Sequence, residues 1–463
     1  EWLAPLLRGQ RRLAHSARWH RRWDTAVMQI TQEQAKYITG AFELVKVPEV
    51  GGIPAQRLPE VIDTVSVMLA DIERHGMDAV RRYARDLDGW ESDITLSSAD
   101  LAKSGDSLSP LLREALQASA ERTQKFAKAT RAKMQDFEIE IIPGLIAGHR
   151  YVPVERVGGY LPAGRFPILA SAFMTVGVAK AAGVPSVIAC SPPSQGKPGD
   201  PAVLYSAYLS GADRVFILGG VQAIAAMVFG LLDEPPVDIL VGAGNAYVTE
   251  AKRQLFGRVG IDLLAGPSEV AVIADDTADP EIVAADLLGQ AEHGPQSPAS
   301  LVTTSRTLAD KVIHYVDQQL ESLETNWVAG PAWRDYGTVY VVDTPQTAVE
   351  VMDLLAPEHL EVITSDDDWY YQRLKNYGSI FLGPWSTVAY SDKGSSGTNH
   401  VLPTGTGARY SAGLSVSRFL KPLTYQRSEK SATEAIAKYV DVITEYEGMA
   451  AHRATATMRM DRL

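Results

Sequence analysis

The sequence predicts an α/β protein in which two successive, incomplete Rossmann-like parallel-sheet units follow a helical N-terminal region and precede a small helical C-terminal tail. Two observations lead to this prediction. Short runs that are apolar throughout alternate with helical segments, and such strands belong to parallel sheets covered on both faces. Two of these runs end directly in glycine, as tight strand-to-helix turns require. The expected segments are a basic extension at 1–27, the helical region at 28–150, the two sheet units at 151–275 and 276–400, and the tail at 401–463.

The composition of the chain argues against several classes of protein. The chain has 463 residues, of which 46% are hydrophobic and 22% charged, which is ordinary for a soluble globular protein. A net charge of −12 argues against nucleic-acid partners. The most apolar stretch is interrupted by Lys180 and Pro185, so no membrane anchor is predicted. The single cysteine, Cys190, excludes a disulfide framework and a thiolate metal site. We therefore expect a cytoplasmic enzyme.

The segment 1–27 has its own composition, rich in arginine and with only Glu1 and Asp24 as acids. An arginine-rich, acid-poor lead is typical of an organelle transit peptide. The alternative is a non-core extension of the natural start without function. We favour the alternative because Met28 begins a more ordinary sequence.

The expected elements follow from hydrophobic periodicity. In the N-terminal region the longest helical runs are 58–87 and 108–134. The first sheet unit has predicted strands at 185–190, 214–218, 238–241 and 269–274, with helices near 170–182, 201–210, 221–231 and 246–256. The second has strands at 300–304, 338–342, 360–364 and 379–382, with helices near 280–293, 307–322, 345–354 and 367–376. A further helix is expected from about 428 to 450, and no sequence repeat is visible between the units.

The helix near 280–293 has clear end signals. Asp279 is a good N-cap, Pro280 fits the first helical position, and Gly294 suits the position after the C-terminus. The residues expected to form most of its buried stripe are Ile282, Val283, Leu287 and Leu288.

The same helix carries polar residues on one face. Gln290 and His293 lie three apart, and Asp286 lies one turn earlier. An amide oxygen and an imidazole at this spacing can bind one cation, with the carboxylate orienting the imidazole. The alternative is that both residues cap the helix end and bond to backbone. Taken by itself, this helix favours the capping role, because two possible metal ligands at this spacing often occur by chance.

Two glycine-marked turns follow predicted strands. Gly219-Gly220 comes after one strand and is followed by Gln222, while the turn from Gly242 to Asn245 opens the next helix. The second turn resembles a dinucleotide-binding fingerprint, except that Tyr247 stands where the third glycine is expected. Tight turns also require glycine when they bind nothing.

Further polar clusters occur downstream. Glu358 and His359 stand side by side at a strand entrance, and Asp392 and His400 flank a loop of glycine and serine. A third cluster near the end of the chain is formed by Glu447 and His452. Any one of these has a structural explanation, as a solvated strand edge, a turn or a helix end.

In order and wording, these stretches resemble the histidinol dehydrogenase family over about 45–455. The matching phrases are Gly266-Pro-Ser-Glu269, Gln290-Ala-Glu-His293-Gly-Pro295, Ala356-Pro-Glu-His359-Leu360, Gly397-Thr-Asn-His400-Val-Leu-Pro-Thr404 and Glu447-Gly-Met-Ala-Ala-His452.

The resemblance implies a set of roles. The expected zinc ligands are Gln290, His293, Asp392 and His452, the last reaching the metal of the partner in an intertwined homodimer. Glu358 and His359 are the implied acid–base pair. The implied substrate pocket adds Ser268, His400 and Glu447 to His359 and the zinc ligands, and the implied NAD contacts are Tyr160, Gln222 and Asn245.

Two departures from the family pattern matter. Asp392 and His400 are eight residues apart, one more than the family spacing. The turn after Tyr160 contains Arg165-Phe-Pro, which resembles a side branch of the family that includes sulfopropanediol 3-dehydrogenase. The planar fork of Arg165 suits a sulfonate or carboxylate. The alternative is that Arg165 pairs with a surface acid or a cofactor phosphate.

The resemblance implies a zinc- and NAD-dependent enzyme that oxidises a small polar alcohol to the acid through an aldehyde, in two hydride transfers. L-Histidinol is the first expected substrate. The alternative substrate is 2,3-dihydroxypropane-1-sulfonate, because of Arg165. An alternative of another class is a binding protein that kept the fold and lost the reaction.

Overall fold

The computed structural model describes residues 30, 32–50, 59–164 and 166–462. The predicted basic extension at 1–27 and Arg165 lie outside these residues. The chain divides into two compact units. Unit A is formed by 63–262, 393–399 and 414–462, and unit B by the described part of 1–62 together with 263–392 and 400–413.

The helices are given first, in chain order. They are α1 Gln32–Ala35, α2 Pro59–His75, α3 Met77–Asp88, α4 Ser98–Ser104, α5 Pro110–Ala132, α6 Val178–Ala182, α7 Pro201–Ser210, α8 Gly220–Phe229, α9 Ala246–Leu255, α10 Pro280–Ala291, α11 Arg306–Ser322, α12 Asn326–Tyr336, α13 Pro345–Leu355, α14 Asp367–Tyr371, α15 Val388–Asp392, α16 Lys430–Glu447 and α17 Ala450–Met460. A π-helical turn, Phe173–Gly177, leads into α6.

The strands are shorter and mostly apolar. They are β1 Phe42–Lys46, β2 Thr95–Leu96, β3 Phe137–Ile142, β4 Leu145–Pro153, β5 Arg156–Tyr160, β6 Ser186–Ser191, β7 Arg214–Ile217, β8 Ile239–Val241, β9 Gly260–Ile261, β10 Val270–Ala274, β11 Ala299–Thr303, β12 Thr338–Val342, β13 His359–Ile363, β14 Ser379–Leu382 and β15 Leu420–Ser428.

Unit A contains a sheet of strand order β2-β7-β6-β5-β8-β9. The strands from β5 to β9 are parallel, and β2 pairs with β7 in the antiparallel sense at one edge. The central strands are buried on both faces, and Cys190 is fully buried in β6. Such an apolar strand between helices is what a parallel sheet requires.

Unit B repeats this topology. Its sheet has the order β1-β12-β11-β10-β13-β14, with β1 antiparallel at the edge and the other strands parallel. In both sheets the first parallel strand in the chain is central and the chain winds outward in both directions from it. The predicted α/β class with parallel-sheet units is therefore confirmed, and the two units share a winding order that the sequence did not reveal.

Several elements differ from the predicted layout. The strand at 269–274, assigned to the first sheet unit, is β10, and it pairs with β11 and β13 in unit B. In the N-terminal region, expected to be helical, β1 joins the sheet of unit B, and β3 and β4 form an antiparallel sheet with β15. The sequence of an apolar strand does not indicate which sheet the strand joins, because neighbouring parallel strands offer it equivalent partners. The predicted helical tail is confirmed as α16 and α17.

The helix α10 begins as predicted and ends differently. The Asp279 side chain accepts the Glu281 N–H, and Pro280 is the first helical residue. The helix ends at Ala291, where the N–H groups of the next residues bond back to Leu288 and Gln290. Gly294 does not have a positive φ and therefore does not act as a C-terminal glycine cap. Ile282, predicted to be buried, is 41% exposed, because it lies on the outer side of the helix.

Within the part of the chain that the structure describes, we find no helix that combines the length and apolar character needed to cross a bilayer.

The turn after β8 generates a test of the fold. Gly242 has φ of +114°, and a Cβ atom there would lie 2.3 Å from the Tyr160 carbonyl oxygen. We expect Gly242→Ala to lower the thermal midpoint by roughly 5–10 °C, because both backbone strain and a clash with main chain are introduced. Gly289→Ala is the matched control, since its Cβ would meet open space on α10. The control should leave the midpoint unchanged or raise it slightly, and equal effects of the two changes would contradict this assignment.

Candidate active site

The candidate active site in unit B is centred on a buried carboxylate, Asp392, at the end of α15. Its Oδ2 lies 3.1 Å from Nε2 of His293, and its Oδ1 lies 3.6 Å from Nε2 of His359. Burial alone would raise the pKa of Asp392. The hydrogen bond from His293, the contact with His359, and the charges of His359 and His400 outweigh burial and hold that pKa well below its ordinary value. Three predicted site histidines therefore act on one buried charge.

His359 is the first residue of β13 and its ring orientation is defined. Its Nδ1 lies 2.9 Å from the carbonyl oxygen of Glu269. Because a carbonyl oxygen only accepts, Nδ1 carries the hydrogen. Nε2 is buried and has no hydrogen-bond partner among the described residues. Nε2 is therefore the ring atom that can exchange a proton.

Charges next to His359 favour its protonated form. Burial alone would lower the pKa of the imidazole. The negative charge of Glu358, followed by the contact with Asp392, outweighs burial and raises the pKa well above its ordinary value. A proton taken up at Nε2 is thus stabilised by two carboxylates.

Glu358 is also buried and held by backbone. Its Oε2 accepts the peptide N–H of Glu269 at 2.8 Å and lies 3.5 Å from Nδ1 of His359. The peptide groups of Glu269 therefore bind both members of the predicted pair, the N–H to Glu358 and the carbonyl to His359. This arrangement explains why the pair stands at the amino end of β13, beside the residue that precedes β10.

The side chain of Glu269 was missed as a site residue in the sequence. Its Oε1 accepts the Gly405 N–H at 2.8 Å, whereas its buried Oε2 has no hydrogen-bond partner among the described residues. Burial and then the charge of Glu358 raise the pKa of Glu269 to about 8, although the Gly405 hydrogen bond and His359 oppose this. The signal in the sequence is an acid at the entrance of the apolar run 269–274, a place where a strand seldom buries a carboxyl without a reason.

Gln290 and His293 lie at the end of α10. The His293 N–H donates to the Gln290 carbonyl at 3.1 Å, which closes the helix end by main chain alone. The His293 ring faces Asp392, and the Gln290 side chain is buried with an amide nitrogen that has no hydrogen-bond partner among the described residues. The interpretation that His293 serves only to bond to backbone at the helix end is therefore wrong.

Asp286 does not orient His293, contrary to the hypothesis drawn from helical spacing. Its Oδ1 accepts from the Thr387 hydroxyl at 3.0 Å, and its carboxyl bonds to Glu361 in β13. Burial raises the pKa of both acids, so the pair keeps a proton. Glu361 also accepts the Val388 N–H at 2.8 Å, which attaches the first residue of α15 to β13. This network joins the elements that carry Gln290, His359 and Asp392.

The donor set fits a zinc ion. Amide oxygen, imidazole nitrogen and carboxylate oxygen are ligands that zinc accepts, and Gln290, His293 and Asp392 offer this set of atoms, with Nε2 of His293 3.1 Å from Oδ2 of Asp392. Within the described residues, no three His, Cys, Asp or Glu side chains are grouped closely enough to hold a metal by themselves. A zinc site formed by His293 and Asp392 therefore needs Gln290 and one further ligand. His452 and Glu447 are exposed residues of unit A, in α17 and at the end of α16.

The predicted substrate residues of unit B flank the pair. Ser268 is half-buried and directly precedes Glu269. The Gly266 N–H donates to the Thr404 hydroxyl at 2.6 Å, so the segment that follows His400 is attached to the entrance of β10. Arg165, the predicted sulfonate contact, lies outside the described residues.

The predicted NAD contacts gather in unit A at the carboxyl edge of its sheet. Tyr160 ends β5, its hydroxyl accepts the Gly220 N–H at 3.1 Å, and burial raises its pKa to about 12. Gln222 lies in the first turn of α8 and donates to Asp88 at 2.9 Å, while its Oε1 is buried without a hydrogen-bond partner among the described residues. Asn245 caps α9 by accepting the N–H groups of residues 247 and 248.

The position of these three residues fits a dinucleotide. Tyr160 and Asn245 follow β5 and β8, between which the winding of the sheet changes direction and where open α/β sheets bind ligands. Gln222 follows β7 at the same edge, and the Gly220 N–H bond to the Tyr160 hydroxyl joins that turn to the end of β5. The turn at Gly219 differs from a phosphate-binding turn in one respect. The Gly219 N–H donates to the Asp88 carboxylate at 3.0 Å and is therefore not available to a phosphate. In unit B the site residues lie instead at the amino edge, before β10 and β13.

Comparisons with known proteins agree with this architecture. A family model described as histidinol dehydrogenase matches residues 53–460. A histidinol dehydrogenase homolog of Shouchella clausii is 46% identical, over 87% of this chain and 95% of that protein. A sulfopropanediol 3-dehydrogenase of Ruegeria pomeroyi is 43% identical, over 87% and 92%. The crystal structure of a histidinol dehydrogenase from Elizabethkingia anophelis superposes with a TM-score of 0.84 at 34% identity, over 88% of this chain and 94% of that one.

The fold and the family match over most of the chain define an α/β oxidoreductase. The chain belongs to the histidinol dehydrogenase family.

The raised pKa of Glu269 makes stability depend on pH. The folded state holds the proton up to about pH 8, whereas an ordinary glutamic acid releases it near 4.5. We expect resistance to unfolding to decrease as pH rises from about 4.5 to about 8, by an amount on the order of a few kcal/mol. Glu269→Gln should make this decrease smaller, while the raised pKa values of Asp286, Glu361 and His359 maintain the remaining slope. Urea unfolding at several pH values measures it, with the exposed Glu281→Gln as control. A slope in Glu269→Gln as steep as that of the wild type would contradict the assignment.

Proposed function

We propose that this protein is a zinc-dependent NAD⁺ oxidoreductase that converts a small polar alcohol to the acid through an aldehyde, a four-electron oxidation. The observation that carries the proposal is the buried Glu358 and His359 pair, which is held by the peptide of Glu269 beside Asp392. The imidazole of His359 and the carboxylate of Glu358 lie 3.5 Å apart. A base and a carboxylate held this close suit a reaction that removes a proton and then adds water.

The residues have separate tasks in this reaction. Bound zinc would polarise the substrate hydroxyl, and NAD would accept the hydride. His359 takes the alcohol proton at Nε2 when its ring is neutral, because Nδ1 keeps its hydrogen on the Glu269 carbonyl. The negative charges of Glu358 and Asp392 stabilise the imidazolium that results. Glu358 takes a proton from the water that hydrates the aldehyde. The balance is one alcohol, one water and two NAD⁺ giving one acid, two NADH and two protons.

Zinc binding is proposed for Gln290, His293 and Asp392 together with His452 of a second copy, in a homodimer with shared active sites. The exposed apolar side chains of the tail support such an assembly, because Tyr446 is 94% and Val442 64% exposed. NAD is proposed to contact Tyr160, Gln222 and Asn245. Ser268, His400 and Glu447 would complete the substrate pocket, and we expect the enzyme to work in the cytoplasm.

Two substrates are proposed. L-Histidinol, with a hydroxyl beside an amine, is the first. The second is 2,3-dihydroxypropane-1-sulfonate, which is supported by Arg165 and by the 43% identity to a sulfopropanediol 3-dehydrogenase. The guanidinium of Arg165 would bind two sulfonate oxygens.

The first test counts NADH formed per substrate molecule at saturating NAD, on protein of known zinc content. We expect two NADH from the true substrate, about one zinc per subunit, and loss of activity on chelation that added zinc restores. Arg165→Ala should reduce the sulfonate rate at least tenfold if that compound is the substrate, with the histidinol rate as internal control. Zinc-loaded protein that reduces no NAD with either alcohol or with other small diols would favour a binding protein without catalysis.

A second test separates the two halves of the reaction. Glu358→Gln keeps an oxygen for the Glu269 N–H but removes the base. We expect oxidation of the aldehyde to slow by about 10²–10⁴-fold, while the first hydride transfer keeps much of its rate. Stopped-flow NADH formation from the alcohol and from the aldehyde measures both halves, with Glu281→Gln as a surface control. Equal loss in both halves would contradict the role given to Glu358.

A further inference from the structure

Glu269 contacts the acid–base pair through its main chain, and its side chain has no role in the mechanism above. Main-chain hydrogen bonds to Glu358 and His359 would persist with any side chain at this position. The buried carboxyl must therefore be explained separately. One oxygen is bonded to the Gly405 N–H, and the other is buried without a hydrogen-bond partner among the described residues.

The surroundings of this carboxyl are strongly unfavourable to a second negative charge. The charged groups that act on it are Glu358, which disfavours ionisation, and His359, which favours it. Both come from the entrance of β13, while the 400–413 segment contributes a peptide N–H. Two buried carboxyls that act on each other do not both ionise at neutral pH, because repulsion and desolvation add. One of the two acids keeps a proton.

The geometry decides which acid keeps it. Glu358 receives a peptide N–H and lies 3.5 Å from an imidazole, and both contacts stabilise a negative charge. Glu269 is 3% exposed, and its Oε2 has no hydrogen-bond partner among the described residues. The peptide N–H groups of Gly405 and Glu358 favour a charge on this carboxyl, but its burial outweighs them. We propose that Glu269 is a positioning residue that keeps its proton, so that Glu358 alone carries the charge of the base, and that its carboxyl anchors the turn at Gly405. This inference rests on the proposed function only for its kinetic consequence. The raised pKa of Glu269 agrees with it.

The anchoring part concerns the segment that begins at His400. The Gly405 N–H bonds to the Glu269 carboxyl, and the neighbouring Thr404 hydroxyl accepts the Gly266 N–H. Both bonds join this segment to the entrance of β10, where the pair is also held. A neutral acid can provide the acceptor oxygen for Gly405 without a net charge, and so can an amide. Glutamine should therefore replace Glu269, whereas leucine should not.

The experiment compares wild-type protein with Glu269→Gln and Glu269→Leu. Difference infrared spectra between wild type and Glu269→Gln, recorded from pH 5 to pH 10, report the carbonyl stretch of a protonated carboxyl. We expect this band in wild type at neutral pH, with loss centred near pH 8. The measurement needs no substrate or cofactor. A missing band at pH 6 would overturn the inference even if the enzyme is active.

Kinetics provide the second measurement. We expect Glu269→Gln to keep kcat within about twofold of wild type near pH 7, and Glu269→Leu to lose roughly tenfold because the buried Gly405 N–H loses its acceptor. A large loss in Glu269→Gln near pH 7 would show that the ionised form is needed and would overturn the inference. Wild-type protein that reduces no NAD with any small alcohol would refute the proposed function and leave the infrared result to decide on Glu269.

Discussion

The candidate active site depends on keeping one charge, that of Asp392, in a buried position. A carboxylate removed from water is costly unless hydrogen bonds and opposite charges compensate. Here His293, His359 and His400 provide that compensation. Glu358 and then Asp392 raise the pKa of His359, so the contact between Asp392 and His359 contributes both to the stability of the buried acid and to the basicity of the imidazole.

Main-chain hydrogen bonds of Glu269 and the carboxyl pair of Asp286 and Glu361 position the residues around this charge. The peptide of Glu269 fixes both Glu358 and His359, and strands position peptide groups more rigidly than side chains position each other. Asp286 and Glu361 share a proton behind the site, and Glu361 holds the start of α15. Buried acids of one unit thus differ in their preferred protonation state, because burial raises the pKa of Glu269, Asp286 and Glu361 whereas histidines hold that of Asp392 low.

Units A and B share a strand order but use opposite edges of their sheets. Unit A gathers Tyr160, Gln222 and Asn245 at the carboxyl edge, as its winding predicts. Unit B places its acid–base pair at the amino edge, where Glu269 and His359 precede or begin neighbouring strands. A common topology therefore does not decide where a site forms, because the site follows the polar residues at the ends of the strands.

The sequence by itself determined the α/β class, the position of most strands and helices, and the family, because periodicity and short motifs are local properties. The sequence also predicted His293, Asp392, Glu358 and His359 as site residues, and the structure places their side chains near one another. Only the tertiary structure decided that β10 belongs to unit B, that Asp286 pairs with Glu361, and that Glu269 holds the acid–base pair. The contacts of Asp286 with Glu361 and of Glu269 with Glu358 join residues about 75 and 89 positions apart, and no local pattern records which distant partner a buried carboxyl meets.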